Sequence, residues 1–152
     1  LQIGATNFPI RLPLHSAFHT PLMVPTHTKA VHDLSWLGFQ APSIPLIDGT
    51  GKVWLPKACS AARLMDYTLG EQVTECFDFT AMVRTILRQF SPDHIVLLGP
   101  GSNLGGSIAQ VMIQEGWNGI TSKAGFIKSQ QENPFVLAMA RPEQRHLVSQ
   151  HE

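Results

Sequence analysis

The residues of this chain whose types and spacing could do chemistry are a histidine near its start and a glycine-rich turn past its middle. His19 stands in the stretch Arg11-Leu-Pro-Leu-His-Ser-Ala-Phe-His-Thr-Pro-Leu-Met23. That stretch opens as a short apolar run that reads as a strand. It closes at Thr20-Pro21, where threonine suits an N-cap and proline the first helical position, because its missing N–H would be unpaired there anyway. His19 is therefore expected at a strand-to-helix junction, one residue before the cap. A histidine so held can exchange a proton with something brought to it, and an ordinary imidazole pKa of about 6.5 is well matched to general acid and base work at neutral pH. The plainer alternative is a solvated polar residue in a turn.

The glycines of Gly99-x-Gly101-x-x-x-Gly105 follow an apolar run and open a helical pattern. In a phosphate cradle such a turn aims backbone N–H groups and a helix dipole at an anion. The spacing misses the dinucleotide fingerprint by one position, and neither a distal acidic residue on a second strand nor a Lys-Ser/Thr pair follows. A tight strand-to-helix turn is the stronger reading, with nucleotide binding as a minor alternative. Metal chemistry has less support. His15 and His19 are four apart, but Pro13 and Pro21 bracket them and no third ligand is near in sequence. The only cysteines, Cys59 and Cys76, are too few and too far apart for a zinc ribbon or a disulfide framework. A reducing, cytoplasmic setting is expected, and neither a metal nor a cofactor.

The elements that must position these residues follow from periodicity and punctuation. A first helix is expected from Pro21 to about Leu37, with Leu22, Val31, Leu34 and Leu37 as its apolar stripe. Ser43–Ile47 reads as a short buried strand, and Lys52–Leu55 either pairs back across Asp48-Gly-Thr-Gly51 as a hairpin or stays a loop. Ser60 should cap a helix ending near Gly70. Phe79–Phe90 is amphipathic through Val83, Ile86 and Leu87, and Ser91-Pro92-Asp93 stops it. His94–Leu98 is the clearest strand, leading through the glycine turn into a helix from about Asn103 to Glu115. Beyond Trp117 a short strand at Ile120 is expected, then a loop over Lys128–Glu132. A C-terminal helix starts at Asn133-Pro134, runs through Phe135, Leu137 and Met139, and is interrupted or restarted at Arg141-Pro142. An apolar strand followed at once by a helix is the pattern of an α/β fold.

The chain has 152 residues, 43% of them hydrophobic and 14% charged, enough for one core, so a single α/β unit over 1–152 is expected. Its 11 basic and 11 acidic residues balance to a net charge of +0, which gives no electrostatic case for nucleic acid or an anionic membrane as partner. No apolar run approaches the roughly 20 residues of a spanning helix. Leu1-Gln-Ile-Gly-Ala lacks the basic start and long apolar segment of a signal peptide. The leucine start hints at a piece of a longer polypeptide.

Ser16-Ala-Phe-His19 followed by Thr-Pro-Leu-Met23 resembles the histidine motif of malonyl-CoA:acyl carrier protein transacylases and of polyketide synthase acyltransferase domains. Leu97-Leu-Gly-Pro-Gly101 resembles the turn into a late helix of that family's large subdomain. Between them, Gln72-Val-Thr-Glu-Cys-Phe-Asp-Phe-Thr80 is similar to the segment in which a glutamine presents its backbone carbonyl to the catalytic histidine; Cys76 departs from it where many relatives carry proline. More weakly, Asn133-Pro-Phe-Val-Leu-Ala-Met-Ala-Arg-Pro-Glu143 looks like the tail of some discrete acyltransferases that serve polyketide synthases. The resemblance covers about residues 9 to 120. It implies the C-terminal portion of an α/β-hydrolase-like large subdomain, with His19 as catalytic base and the Gln72 carbonyl orienting it. It also implies malonyl-CoA as substrate and an acyl carrier protein bearing phosphopantetheine as partner, in fatty acid or polyketide biosynthesis. A large aromatic before the histidine, here Phe18, goes with malonyl rather than methylmalonyl groups in relatives.

The family's nucleophile is a serine in a Gly-x-Ser-x-Gly elbow N-terminal to an inserted subdomain, and this sequence has no such elbow. The nearest pattern, Gly105-Gly-Ser107-Ile-Ala109, should lie within a helix, whereas an elbow follows a strand. Two expectations remain. The chain is part of an acyltransferase completed by an N-terminal half, on the same polypeptide or a second chain, or it is a non-catalytic remnant that binds a carrier protein or another partner.

Overall fold

The computed structural model describes residues 2–3, 6–7, 15–101 and 103–149. The strand expected at the start of the Arg11–Met23 stretch falls on residues 11–14, outside the described residues. In chain order the elements are β1 (Gln2–Ile3), β2 (Thr6–Asn7), a 3-10 turn (Pro21–Met23), α1 (Val24–Asp33), β3 (Leu46–Ile47) and β4 (Val53–Trp54). They continue as α2 (Ala61–Asp66), a π-turn (Tyr67–Glu71), α3 (Gln72–Thr74), α4 (Phe79–Thr85), a second π-turn (Ile86–Phe90) and β5 (Ile95–Leu97). The last are α5 (Leu104–Glu115), a 3-10 turn (Trp117–Gly119), α6 (Lys123–Glu132), β6 (Val136–Ala138) and α7 (Pro142–Ser149). Helices and strands are mixed. The chain divides into two compact units, Leu1–Ala41 with Cys59–Cys76, and Pro42–Ala58 with Phe77–Glu152.

In the first unit Pro21 takes the first helical position after an extended Thr20. The threonine hydroxyl does not cap, however; it donates to the Ala17 carbonyl at 2.7 Å and closes the preceding turn. The inward side of α1 also differs from the expected stripe. Met23 is buried and His27, Ala30 and Leu34 are half-buried, whereas Leu22 is 78% exposed and Val31 is exposed. A hydrogen bond from His27 Nδ1 to the Leu69 carbonyl, 2.8 Å, turns that face inward, so a polar contact rather than the apolar period sets the helix's phase. α1 ends at Asp33, short of the expected Leu37. Ser60 caps α2, its hydroxyl accepting from the Arg63 N–H at 3.2 Å. The helix does not end near Gly70; it widens into the π-turn and resumes as α3. Tyr67, Leu69, Gly70 and Thr74 on this segment are buried.

In the second unit β3 and β4 form the antiparallel hairpin, Leu46 opposite Trp54 and Ile47 opposite Val53. Asp48 holds its turn together. Oδ1 accepts from the Thr50 N–H (2.8 Å), the Thr50 hydroxyl (2.7 Å) and the Lys52 N–H (3.0 Å), while Oδ2 accepts from the buried Trp54 indole at 2.8 Å. α4, capped by Asp78, and the π-turn that continues it pack Val83 and Leu87 against Ile108, Val111 and Met112 of α5 and Val136 of β6. At the far end of α5, Glu115 accepts from Arg84 Nε at 2.7 Å and Arg88 Nε at 2.6 Å.

β5 runs parallel to β6, Val96 beside Leu137. Here the expected C-terminal helix from Asn133 is overturned: Val136, Leu137 and Ala138 are all buried and form a strand, and only α7, restarting at Pro142, is helical. A residue run buried on both faces suits a strand better than one stripe of a helix. The polar run Lys128–Glu132 is not a loop but the end of α6, capped at its start by Ser122. Its Gln130 faces inward and hydrogen-bonds β6 through both ends of its amide. Ile120 is buried at the close of a 3-10 turn and forms no strand.

Burial pushes the Asp48 carboxyl up, but hydrogen bonds from the Thr50 hydroxyl, the Thr50 N–H, Trp54 and the Lys52 N–H hold it below its ordinary value. The unfolded chain therefore takes up this proton first. Stability from Asp48 is complete above the ordinary carboxylate range and is lost as pH falls through the lower, folded value. Asp48→Asn, which confronts the Trp54 indole with an amide N–H₂ in one orientation or the turn N–H groups in the other, should cost about 1–3 kcal/mol at neutral pH. It should also flatten the acid limb of stability, checked by urea unfolding from pH 7 down to pH 3. An unchanged acid limb would show that Asp48 is not the group responsible.

Candidate functional site

A helix that stops leaves its last four carbonyls without partners inside it. The helix begun at Ala61 stops at Thr74, because Glu75 is extended (φ −106°, ψ 158°). The Glu71 carbonyl still receives the Glu75 N–H at 2.8 Å. The next two carbonyls are met by a single residue, His19. Its ring Nδ1 stands 2.7 Å from the Gln72 carbonyl and its backbone N–H donates to the Val73 carbonyl at 2.9 Å. Both donors reach the same helix end because His19 adopts a left-handed backbone conformation, φ 65°. For a non-glycine residue that costs on the order of 1–3 kcal/mol, which persists only where surrounding contacts over-determine it. The two bonds to α3 and the Thr20–Ala17 bond of the same turn are those contacts.

The chemistry of this arrangement follows from the acceptor. A carbonyl oxygen can only accept, so Nδ1 must carry the hydrogen and the basic lone pair lies on Nε2. Proton uptake at Nε2 leaves the Nδ1–H bond in place. The ring thus keeps one orientation in both charge states, as a general base that later acts as an acid requires. His19 is exposed, and so is Phe18, whose ring centroid lies 6.4 Å from the imidazole at 59°.

The sequence-expected pair His19 and Gln72, 53 residues apart, is therefore in direct contact. Other candidates are not brought to it in this way. Ser107 lies inside α5 on its exposed side. Cys59 is half-buried with its thiol 3.5 Å from the Ser60 carbonyl, and Cys76 is exposed. Gly99 has φ 107°, a conformation that favours glycine at the end of β5, in keeping with a structural turn. Among the described residues no three His, Cys, Asp or Glu side chains are grouped to hold a metal ion. A cleft of about 930 Å³ in the second unit, lined by Asp93, His94, Trp117, Glu132 and Phe135 among others, contains none of the expected site residues.

One residue escaped sequence reasoning. His27 repeats the His19 contact one turn away along the same helix, its Nδ1 donating to Leu69 O, beside a hollow of about 450 Å³. The available signal was its spacing, four after Met23 and three before Ala30, which puts it on the inward side of α1.

Because the contact is with a backbone carbonyl, Gln72→Ala should leave thermal stability within about 0.5 kcal/mol of the parent. His19→Ala removes one side-chain hydrogen bond and should cost about 0.5–1.5 kcal/mol. A larger loss from Gln72→Ala than from His19→Ala in denaturant unfolding would contradict this geometry.

Compared with family models, with curated proteins and with solved structures, the chain matches none of them.

Proposed function

We propose that this chain is the C-terminal part of the α/β-hydrolase-like large subdomain of an acyltransferase. In this reading it supplies the catalytic histidine for moving a malonyl or similar acyl group from CoA to an acyl carrier protein. The observation that carries the proposal is the 2.7 Å contact of His19 Nδ1 with the Gln72 carbonyl. These are the two residues to which the family resemblance gives the roles of base and orienter. The plain α/β character of the second unit is compatible with it. So is the edge of β5 away from β6, which pairs with no strand among the described residues and has Val96 and Leu98 exposed beside it. A sheet completed by an N-terminal half would cover such an edge. No helix among the described residues is long and apolar enough to cross a membrane, and a cytoplasmic setting in fatty acid or polyketide biosynthesis belongs to the same proposal.

The nucleophile is a serine of that N-terminal half, on the same polypeptide or on a second chain. Its Oγ attacks the thioester carbonyl while Nε2 of His19 takes the hydroxyl proton. The C–O bond forms, the C–S bond breaks, and the imidazolium returns the proton to the departing thiolate of CoA. In the second half the phosphopantetheine thiol of the carrier protein gives its proton to Nε2 and attacks the acyl-serine ester. The serine oxygen then takes that proton back. Throughout, the Gln72 carbonyl holds Nδ1–H, the part an aspartate plays in a Ser-His-Asp triad. Phe18, next to the imidazole, limits the space beside the acyl group.

Intact mass measurement after incubation with malonyl-CoA should find no adduct on this chain alone, and a malonyl ester on the serine of the N-terminal half once the two are combined. A malonyl adduct on this chain by itself would overturn the assignment. In the completed enzyme Phe18→Ser should raise activity on methylmalonyl-CoA relative to malonyl-CoA. The effect is expected within the about 1–3 kcal/mol that one methyl group is worth in an apolar pocket. Unchanged selectivity would remove Phe18 from the acyl pocket.

A further inference from the structure

We propose that His27 is a positioning residue: its Nδ1–H bond to the Leu69 carbonyl holds the π-turn in the phase that delivers the Gln72 carbonyl to His19, and so sets the His19 tautomer. The functional meaning rests on His19 being the general base of the proposed transfer, whereas the geometry stands apart from it.

His19 and His27 lie on one continuous segment, the turn that leads through Pro21–Met23 into α1. Leu69, Gln72 and Val73 lie on another, the π-turn and α3. Hydrogen bonds cross between them at both histidines. His19 N–H reaches Val73 O at 2.9 Å, His19 Nδ1 meets Gln72 O at 2.7 Å, and His27 Nδ1 meets Leu69 O at 2.8 Å. The two His19 bonds both hold the last turn of the helix and leave the widened turn before it unattached by His19. The His27 bond, one turn earlier, attaches the π-turn itself and so fixes the rotation with which the helix enters its last turn.

The π-turn makes the phase matter. The Gln72 N–H reaches back to the Tyr67 carbonyl, a five-residue spacing. An α-helix advances about 100° per residue, so relaxing this turn to the ordinary spacing would swing everything after it by about that angle. The Gln72 and Val73 carbonyls would then leave His19. Gly70 lets the His27 ring approach closely: a Cβ there would stand 3.2 Å from Cε1 of the ring, which would have to give way by a few tenths of an ångström. The ring lies against bare backbone in the middle of the widened turn, and its bond goes to the residue just before. π-turns inside α-helices occur frequently at functional sites, and here the extra residue is what brings a helix-end carbonyl to an imidazole.

The test is the tautomer of each imidazole, read from ring ¹⁵N shifts in the folded protein at a pH where both rings are neutral. In the parent, both His19 and His27 should carry their proton on Nδ1. In His27→Ala, the His19 signal should move toward the Nε2–H form that an unconstrained histidine side chain prefers. In His27→Asn, whose side-chain N–H₂ can reach the Leu69 carbonyl much as Nδ1–H does, the Nδ1–H signature of His19 should return. A merely structural His27 would lower stability in His27→Ala and leave the His19 tautomer unmoved, which would overturn the proposal. So would a parent spectrum with the His27 proton on Nε2, a reading that needs no variant. If His27→Ala does not fold, a folded His27→Asn that lacks the His19 signature overturns the proposal and one that keeps it supports the proposal. The spectra do not depend on acyl transfer: coupled tautomers without activity in the completed enzyme would count against the acyltransferase reading alone.

Discussion

A helix end must hand its last carbonyls to something, and in the first unit two of them go to one histidine. The rest of the candidate site depends on that transaction. The left-handed backbone of His19, the closed turn behind it and the choice of ring nitrogen that bears the proton are consequences of two acceptors presented together by Gln72 and Val73. The negative end of a helix dipole suits such a donor, as lysine, arginine or histidine often does in last turns. An imidazole placed this way is oriented by backbone alone. Its orienter is not removed by changing the side chain of the residue that supplies it, only by moving the helix end itself.

The second unit is organised by apolar packing with polar side chains closing its gaps. Met112 and Val83 are essentially inaccessible to solvent, and at the start of β6 Phe135 meets Phe126 edge to face and Trp117 at a tilt, with ring centroids 5.6 and 5.7 Å apart. Glu115 joins α5 to α4 through Arg84 and to the π-turn after α4 through Arg88. The Arg84 hydrogen bond, opposed by burial and helped by Arg88, keeps its carboxyl below the ordinary value. These contacts place the strand, the glycine turn and the long helix that the chemistry of the site itself does not use.

The features legible in the sequence are those in which one residue signals its own local role. Ser60 as a cap, Pro21 at a first helical position and the strand before Gly99 all rest on short-range rules, whereas the turn at Asp48-Gly49 left hairpin and loop open until β3 and β4 paired. The contact of His19 with Gln72 was reachable only through a family likeness, since no local rule links residues 53 apart. Tertiary partners decided the rest. Phe135–Met139 reads as helix because Asn133-Pro134 looks like a cap and first helical residue, but β5 beside it makes its middle a strand. Lys128–Glu132 is polar and therefore loop-like by composition, but Gln130 spends its amide on β6 and keeps the segment helical. The α1 stripe failed for a related reason: a histidine outcompeted leucine and valine for the inward side because a carbonyl was waiting there.

That use of glutamine reaches beyond packing. In a parallel pair, alternate residues of β6 turn their backbone groups away from β5, and here those residues are Val136 and Ala138. Gln130 takes both groups of Val136, Gln144 accepts the Ala138 N–H at 2.9 Å, and the Ala138 carbonyl receives the Arg141 N–H at 2.9 Å. This side of the sheet is finished by side chains and a turn that imitate a neighbouring strand. A fibre made by adding sheet to sheet needs two growable margins on every copy, and among the described residues this sheet offers one. Self-association through that margin would stop at a two-fold pair and not run on into an endless polymer.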